Sequence, residues 1–289
     1  MLFLILFILL IGGCQDEVEI TLSNTKEQKL VVEGFMILNS IFSGYTFFDR
    51  LEVKLSKSSN YLDKVEITNF ITDAKIILIS KGGKTIDFNY LGTGIYTIFG
   101  NAIKLDSCYK LHIETAEGKI YESTYQKVLK PVEIDSVTVF PYSYLLNKGY
   151  LFNKLGEDSK DFLTANFKDT KGVKNYYAWN IVSENSSLTK ILDMKILSDE
   201  DIVDGSSIPF EYLWFDFTKS VPYETTLLQL SLNKNAFNYI QNIQSLQQLS
   251  SPFSSPPSNP LSNISCISNP KEEVLGFFEI STASSKIYK

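Results

Sequence analysis

Histidine and arginine are almost missing from this sequence: His112 is the only histidine and Arg50 the only arginine. A Ser-His-Asp or Cys-His site needs an imidazole beside its nucleophile, so a chain with one histidine set among charged residues is poorly equipped for it. Gly-x-Ser-x-Gly, His-Glu-x-x-His and phosphate-cradling glycine loops are also lacking. Nucleic-acid binding draws on basic patches, and a chain of net charge −6 with a single arginine disfavours it. The three cysteines show no metal-ligand spacing. Fifteen glycines and nine prolines are too few for a low-complexity chain. A glycosidase built on two carboxylates survives these exclusions, because two acids need no sequence motif. No cofactor is implied.

What is present is a chain rich in core-forming residues, 44% hydrophobic with 20 Phe and 16 Tyr. It begins with a short apolar run, Leu2 to Cys14, ending Ile11-Gly12-Gly13-Cys14. A membrane span takes about 20 apolar residues, so this run has instead the layout of a secretory signal with small residues before its cleavage site. The final four residues resemble a bacterial lipobox, in which the cysteine carries the lipid. Residues 1–13 are therefore expected to be a lipoprotein signal peptide, with Cys14 the lipidated residue. No Lys or Arg precedes the apolar run, which departs from the usual signal. Residues 14–27 read as an acidic tether that opens with Gln15, Asp16, Glu17 and Glu19 around Val18. Cys108 and Cys266 remain; an exported compartment permits a disulfide between them, but lone thiols so far apart are more often unpaired.

About 275 residues follow the signal, enough for one large or two ordinary domains. Strand signals dominate. Lys29 to Leu38 has β-branched and aromatic composition, and its internal Gly34 suggests a bulge or close backbone approach. Leu51, Val53 and Leu55 alternate with Glu52, Lys54 and Ser56. Ala74 to Ser80 is a more continuous apolar run, and Lys81-Gly82-Gly83-Lys84 after it predicts a type I′ hairpin turn. In the strand from Cys108, Tyr109, Leu111 and Ile113 share one face, while Lys110, His112 and Glu114 share the other. That places the lone histidine on an exposed face. A turn followed by Tyr109 resembles the tyrosine corner of Ig-like sandwiches.

Leu129-Lys130-Pro131 breaks the rhythm and marks a boundary, giving an Ig-like β-sandwich at residues 28–130 and a second β-rich domain at 131–289. The fold class is thus mainly β, with one amphipathic helix in the second domain. That helix is placed at residues 235–249, where Phe237, Ile240, Ile243, Leu246 and Leu249 recur every three residues. A strict three-residue spacing drifts around a helix and gives a broad apolar stripe suited to a sheet. Residues 251–260 form a Pro-rich loop carrying Phe253, and Gly276 to Ile280 reads as the closing strand. The acidic stretch Ser198 to Ile208 reads as a solvated loop; its three carboxylates lack EF-hand spacing.

Several of these pieces resemble a Bacteroidetes lipoprotein family, the domain of unknown function 4249, often encoded near TonB-dependent outer-membrane receptors. They are the lipobox, Lys29 to Gly34, Gly94-Ile95-Tyr96, Pro131 to Val137, the helix of Phe237 to Leu249, the Pro-Pro loop to Asn263-Ile264, and Leu275-Gly276-Phe277-Phe278. In place of the usual Gly-rich turn before the last strand this chain has Cys266 to Glu273, which leaves that loop's geometry open. The resemblance carries no catalytic residues. It implies a lipid-anchored outer-membrane protein on the cell-surface side, with Gln15, Asp16, Glu17 and Glu19 resembling a surface-export signal. It further implies a non-catalytic accessory partner of a TonB-dependent receptor. Trp214, Phe215, Phe217 and Phe253 are the aromatic candidates for that contact, or ordinary core residues. Asp135-Ser136-Val137 resembles an O-glycosylation acceptor, with Ser136 as its hydroxyl, although a plain strand start explains it as well. The alternatives are a cell-surface carbohydrate-active enzyme with paired carboxylates, and a structural or adhesive module.

Lipid attachment gives the first testable expectation. Acyl burial contributes about 0.8 kcal/mol per CH₂, so two or more chains anchor stably where one does not. Cys14→Ser should abolish labelling by a fatty-acid probe and leave an uncleaved or soluble species. Undiminished labelling of that variant refutes Cys14 as the acceptor.

Overall fold

The computed structural model describes residues 28–39, 50–59, 69–141, 160–182, 194–198, 205, 215–218, 225–248 and 260–288. In chain order the first strands are β1 (Leu30–Asn39), β2 (Arg50–Lys57), β3 (Asn69–Phe70), β4 (Lys75–Ser80), β5 (Thr85–Asp87), β6 (Asn89–Gly92) and β7 (Ile95–Phe99). Then come β8 (Cys108–Glu114), β9 (Ile120–Ser123), β10 (Gln126–Lys127), β11 (Ser136–Pro141), β12 (Lys160–Asn166) and β13 (Tyr176–Val182). The last are β14 (Lys195–Ser198), β15 (Phe215–Thr218), β16 (Thr225–Ser231), helix α1 (Lys234–Gln248), β17 (Ile264–Cys266) and β18 (Leu275–Tyr288). The chain is mainly β, as its alternating strand patterns predict.

A nine-stranded sheet runs β14-β13-β16-β18-β1-β2-β7-β6, with β3 added beside β2. A six-stranded sheet, β17-β9-β8-β4-β5 with β10 beside β8, faces part of it and completes an Ig-like sandwich. The alternation seen in sequence is the cause of this layer. Leu51, Val53 and Leu55 of β2 point inward, as do Tyr109, Leu111 and Ile113 of β8. Directly across β4 and β8, Ile76 meets Ile113 and Leu78 meets Leu111. Tyr109 packs into this core and its hydroxyl accepts a hydrogen bond from the Lys104 amide at 3.0 Å, the upstream backbone bond of a tyrosine corner.

The division expected at Pro131 does not separate the two larger sheets, each of which takes strands from both sides of it. β18 pairs with β1 in parallel, from Val31 opposite Leu275 to Asn39 opposite Ala283, and so joins residues at the two ends of the chain. β17 likewise adds to β9, and Ile264, Cys266, Val274, Phe278 and Ile280 enter the first core. The segment after Pro131 is stitched down rather than free. The Val132 carbonyl accepts from Gln229 Nε2 at 2.7 Å, and the Ile134 amide donates to Ser284 Oγ at 2.9 Å. Burying a backbone segment is tolerable when its polar groups find such partners.

The closing strand is also longer than Gly276 to Ile280. It continues through Ser281-Thr282-Ala283-Ser284, a stretch of small and polar residues with weak strand signal. All four are buried. Tertiary context decides here: β16 covers the other edge of β18 from Thr282 to Tyr288, and the linker backbone approaches closely enough to bond Ser284. Where β16 no longer reaches, Asn263 takes its place, donating Nδ2–H to the Phe278 carbonyl at 2.7 Å and accepting its amide at 2.9 Å.

The two sides of the large sheet are covered differently around β13 and β16. On one side lies α1, which begins and ends within a residue of its predicted span. Ala236, Phe237 and Ile240 are buried against Tyr176, Ala178, Leu228, Leu230 and Phe277. Opposite, the three-stranded sheet β11-β12-β15 packs Leu163, Ala165 and nearby Phe167 on Tyr177, Trp179 and Leu227. Trp179 satisfies its indole N–H on Gln229 Oε1 at 2.9 Å. The Ser80 to Lys84 turn differs from a type I′ turn. Only Gly83 has positive φ (+83°), and its amide bonds the Ser80 carbonyl at 2.9 Å, the three-residue turn with a glycine bulge.

Glycine is required where β1 and β18 meet. Gly276 has φ +91°, and a Cβ there would lie 2.0 Å from the Val32 carbonyl oxygen. Gly276→Ala combines left-handed strain with overpacking, each costing about 1–3 kcal/mol. A loss of roughly 4 kcal/mol in chemical denaturation is expected, against about 1–2 kcal/mol at the open Gly118 hairpin position, where a φ of +77° leaves only the left-handed strain. Equal losses at both positions would contradict the close approach.

Candidate binding cleft

A cleft of about 440 Å³ opens at one end of the sandwich. Its walls come from distant parts of the chain: Gln28 and Leu30 where β1 starts, Lys57 at the end of β2, and Phe70 to Asp73. The turn between β8 and β9 adds Thr115 to Glu117 and Lys119, and Tyr121 and Glu272 close it. Local sequence explains how these side chains are placed. The β8–β9 turn is closed by Gly118 N–H on the Thr115 carbonyl (2.9 Å) and by Thr115 N–H on the Lys119 carbonyl (3.0 Å). Gly118 supplies the positive φ, which leaves Glu117 and Lys119 on the rim. The loop between β17 and β18 turns at Asn269, whose carbonyl accepts the Glu272 amide at 2.9 Å. This is the stretch whose geometry the sequence left open, and the turn aims Glu272 at Lys119 and Tyr121.

The charges of the cleft are paired across these elements. Glu272 accepts from Lys119 Nζ at 2.8 Å and from the Tyr121 hydroxyl at 2.6 Å. Burial pushes the Glu272 carboxyl up, but the bonds from Lys119 and Tyr121 outweigh it and hold the group below its ordinary range. Burial, then the Glu272 carboxylate, pushes the Tyr121 phenol well above its usual value. On the rim, Lys57 Nζ bonds Glu117 Oε1 at 2.9 Å and lowers that carboxyl too. The Lys57 and Glu117 side chains are 40% and 59% exposed, so this pair can exchange partners with solvent or ligand. Phe70, 37% exposed, gives an apolar strip beside it.

This arrangement suits binding better than acid catalysis. Both glutamates stay ionised at neutral pH, whereas a glycosidase general acid needs a carboxyl with a raised pKa. A ligand meets an ammonium and a carboxylate at the mouth and a phenol-backed carboxylate deeper in.

Among the described residues, none of the site candidates singled out in the sequence lines this cleft. Cys14, Gln15, Asp16, Glu17, Glu19, Trp214 and Phe253 lie outside the described residues. Phe215 and Phe217 are on β15, with backbones opposite Leu163 and Asp161 of β12. Ser136 opens β11 and is exposed, its Oγ accepting from Asn166 Nδ2 at 3.2 Å. His112 is a correction to the exposed reading. It is about one-fifth exposed, with Nδ1 3.0 Å from Glu122 Oε1, because Lys110, His112 and Glu122 pair across β8 and β9 on the outer face. Cys108 and Cys266 are both free thiols. Among the described residues no group of three His, Cys, Asp or Glu could hold a metal, and no helix is long and apolar enough to cross a membrane. The cleft residues were hidden because no motif joins Lys57, Glu117 and Glu272; only the sheet pairings do.

No curated protein matches this chain in sequence. Among solved structures, a two-domain fibronectin type III segment from chicken tenascin is similar over 62% of this chain and 83% of that chain, at 11% identity. Its TM-score is 0.18, and the similarity carries no argument about function. The family model for a domain of unknown function, DUF4249, matches residues 15–287, beginning directly after Cys14 and covering nearly everything that follows. The chain therefore belongs to the DUF4249 family.

Proposed function

We propose that this protein is a lipid-anchored lipoprotein of the outer membrane, facing the cell surface, that serves as a non-catalytic binding partner of a TonB-dependent receptor. The observation that carries the binding reading is the cleft, where Lys57, Lys119 and Tyr121 keep both glutamates ionised and ready for polar recognition. The anchor rests on the lipobox-like run into Cys14, and the family match from residue 15 onward supports a folded unit carried just beyond it. The acidic leader of Asp16, Glu17 and Glu19 supports display on the surface side. Trp214, Phe215, Phe217 and Phe253 are the proposed receptor contact, since aromatic side chains are favoured interface anchors and prolines around Phe253 lower the ordering cost of binding.

Purification of the tagged lipoprotein from mild detergent should bring a barrel receptor with it, and Phe253→Ala should lose that receptor. Recovery of no barrel protein from membranes that contain both would defeat the partnership. Incubation with cell-surface polysaccharides should release no sugar. Release that disappears in Glu272→Gln would instead establish the carbohydrate-active alternative.

A further inference from the structure

A carboxyl group shielded from water joins α1 to the sheet. Glu279 of β18 is fully buried, opposite Phe35 of β1. Its Oε1 accepts from Asn233 Nδ2 at 2.7 Å and from the Asn233 amide at 3.2 Å. Asn233 also donates Nδ2–H to the Lys127 carbonyl at 2.9 Å, and its own carbonyl accepts the Phe237 amide in the first turn of α1. The junction of helix, β10 and β18 therefore hangs on one oxygen of Glu279.

The other oxygen makes no well-formed hydrogen bond, although the Ser281 hydroxyl lies near enough to favour the ionised form. Among the described residues Oε2 of Glu279 has no hydrogen-bond partner, and neither has Oγ of Ser281, two residues along on the same side of the strand. Phe35, Ile37, Phe277 and Tyr239 make the nearby surroundings apolar. An ionised carboxylate is costly in such a place because the few donors within reach do not replace its water shell, whereas a carboxylic acid loses little by burial and can also bond the Ser281 hydroxyl. Burial accordingly pushes Glu279 up to about 7, with the bonds from Asn233 and the Ser281 hydroxyl pulling the other way.

Among the described residues no neighbouring charge is bonded to it as a counter-ion. Glu33 of β1 pairs with Lys54 at 3.2 Å, and Lys127 of β10 turns to Asp106 at 3.6 Å. Lys234 at the start of α1 and Lys286 of β18 are exposed. Burial holds the Tyr239 phenol neutral. None of them bonds Glu279.

We propose that Glu279 is a protonation latch for α1: in its neutral form it stays buried beneath the helix, and on losing its proton it becomes a buried charge whose lost hydration outweighs the Asn233 bonds and is regained when α1 lifts and admits water. The direction follows from linkage. The folded group binds its proton more tightly than an exposed glutamate, whose ordinary value is 4.5, so the helix is held fully below that pH and loses hold as pH rises through about 7.

Native-state hydrogen exchange on the full chain, expressed as protection factors so that intrinsic exchange is removed, tests this. Between pH 5 and pH 8, amides of Ala236 to Gln244 should lose protection roughly 10- to 100-fold while those of β1 and β2 hold. Glu279→Gln keeps the bond from Asn233 and adds a donor for Ser281, so α1 protection in that variant should be flat with pH. Constant protection in the parent, or an equal fall in both proteins, overturns the latch; so does a parallel loss across the whole sheet. Should the variant not fold, isotope-edited infrared spectroscopy of the parent decides: a protonated glutamic acid band present at pH 5.5 and lost by pH 8.5 is expected, and a carboxylate already at pH 5.5 refutes the proposal.

Discussion

The parallel pairing of β1 with β18 is the constraint on which the rest depends. Parallel strands cannot be joined by a tight turn and need a crossover; here nearly the whole described chain lies between them. Their approach is close enough that glycine stands on both strands, Gly34 against the Phe277 carbonyl and Gly276 against Val32. The first sandwich lacks part of its wall until the last segment arrives, since Phe278 and Ile280 belong to its core. Contacts of such long sequence separation are made at high loop-closure cost, so this topology is expected to fold slowly for its size.

Polar side chains then do what a simple apolar core could not. β18 is bounded by β1 along one edge and by β16 along only part of the other, and Asn263 fills the gap by presenting an amide where a strand would present a peptide group. Gln229 serves Trp179 and Val132 together. Asp169, also buried, receives the Tyr177 hydroxyl at 2.6 Å, Asn175 at 2.9 Å and the Gly205 amide at 3.1 Å, which ties a residue of the acidic loop to the second half of the sheet. Each of these groups is satisfied, and satisfied networks specify one arrangement. Glu279 stands apart because one of its oxygens is not.

Local patterns were legible in the sequence: alternation located β2 and β8, a continuous apolar run β4 and a three-residue recurrence the helix, because side-chain period follows from backbone geometry. Tyr109 could be placed inward for the same reason. What the sequence hid was anything set by distant partners. Ser281 to Ser284 have little strand preference of their own and are held extended by neighbours on both edges. Pro131 does break a local rhythm, yet the bonds to Gln229 and Ser284 keep its neighbourhood within one body. Gly82-Gly83 suggested two positive φ values, whereas the turn uses one. The cleft was the least legible feature, since Lys57, Glu117 and Glu272 become neighbours only after a strand end and two separate loops are brought to one end of the sandwich.

The sense of β18 relative to β1 also sets where the described ends lie. Leu275 starts level with Val31, and the strand then runs on to Tyr288 without turning back. At about 3.3 Å per residue, those thirteen steps put Tyr288 about 40 Å of strand from the start of β1. A reporter fused behind β18 would sit at the far end of the sheet from the cleft, clear of Gln28 and Leu30 at its wall. Circular permutation would need a linker of at least a dozen extended residues to rejoin the two ends.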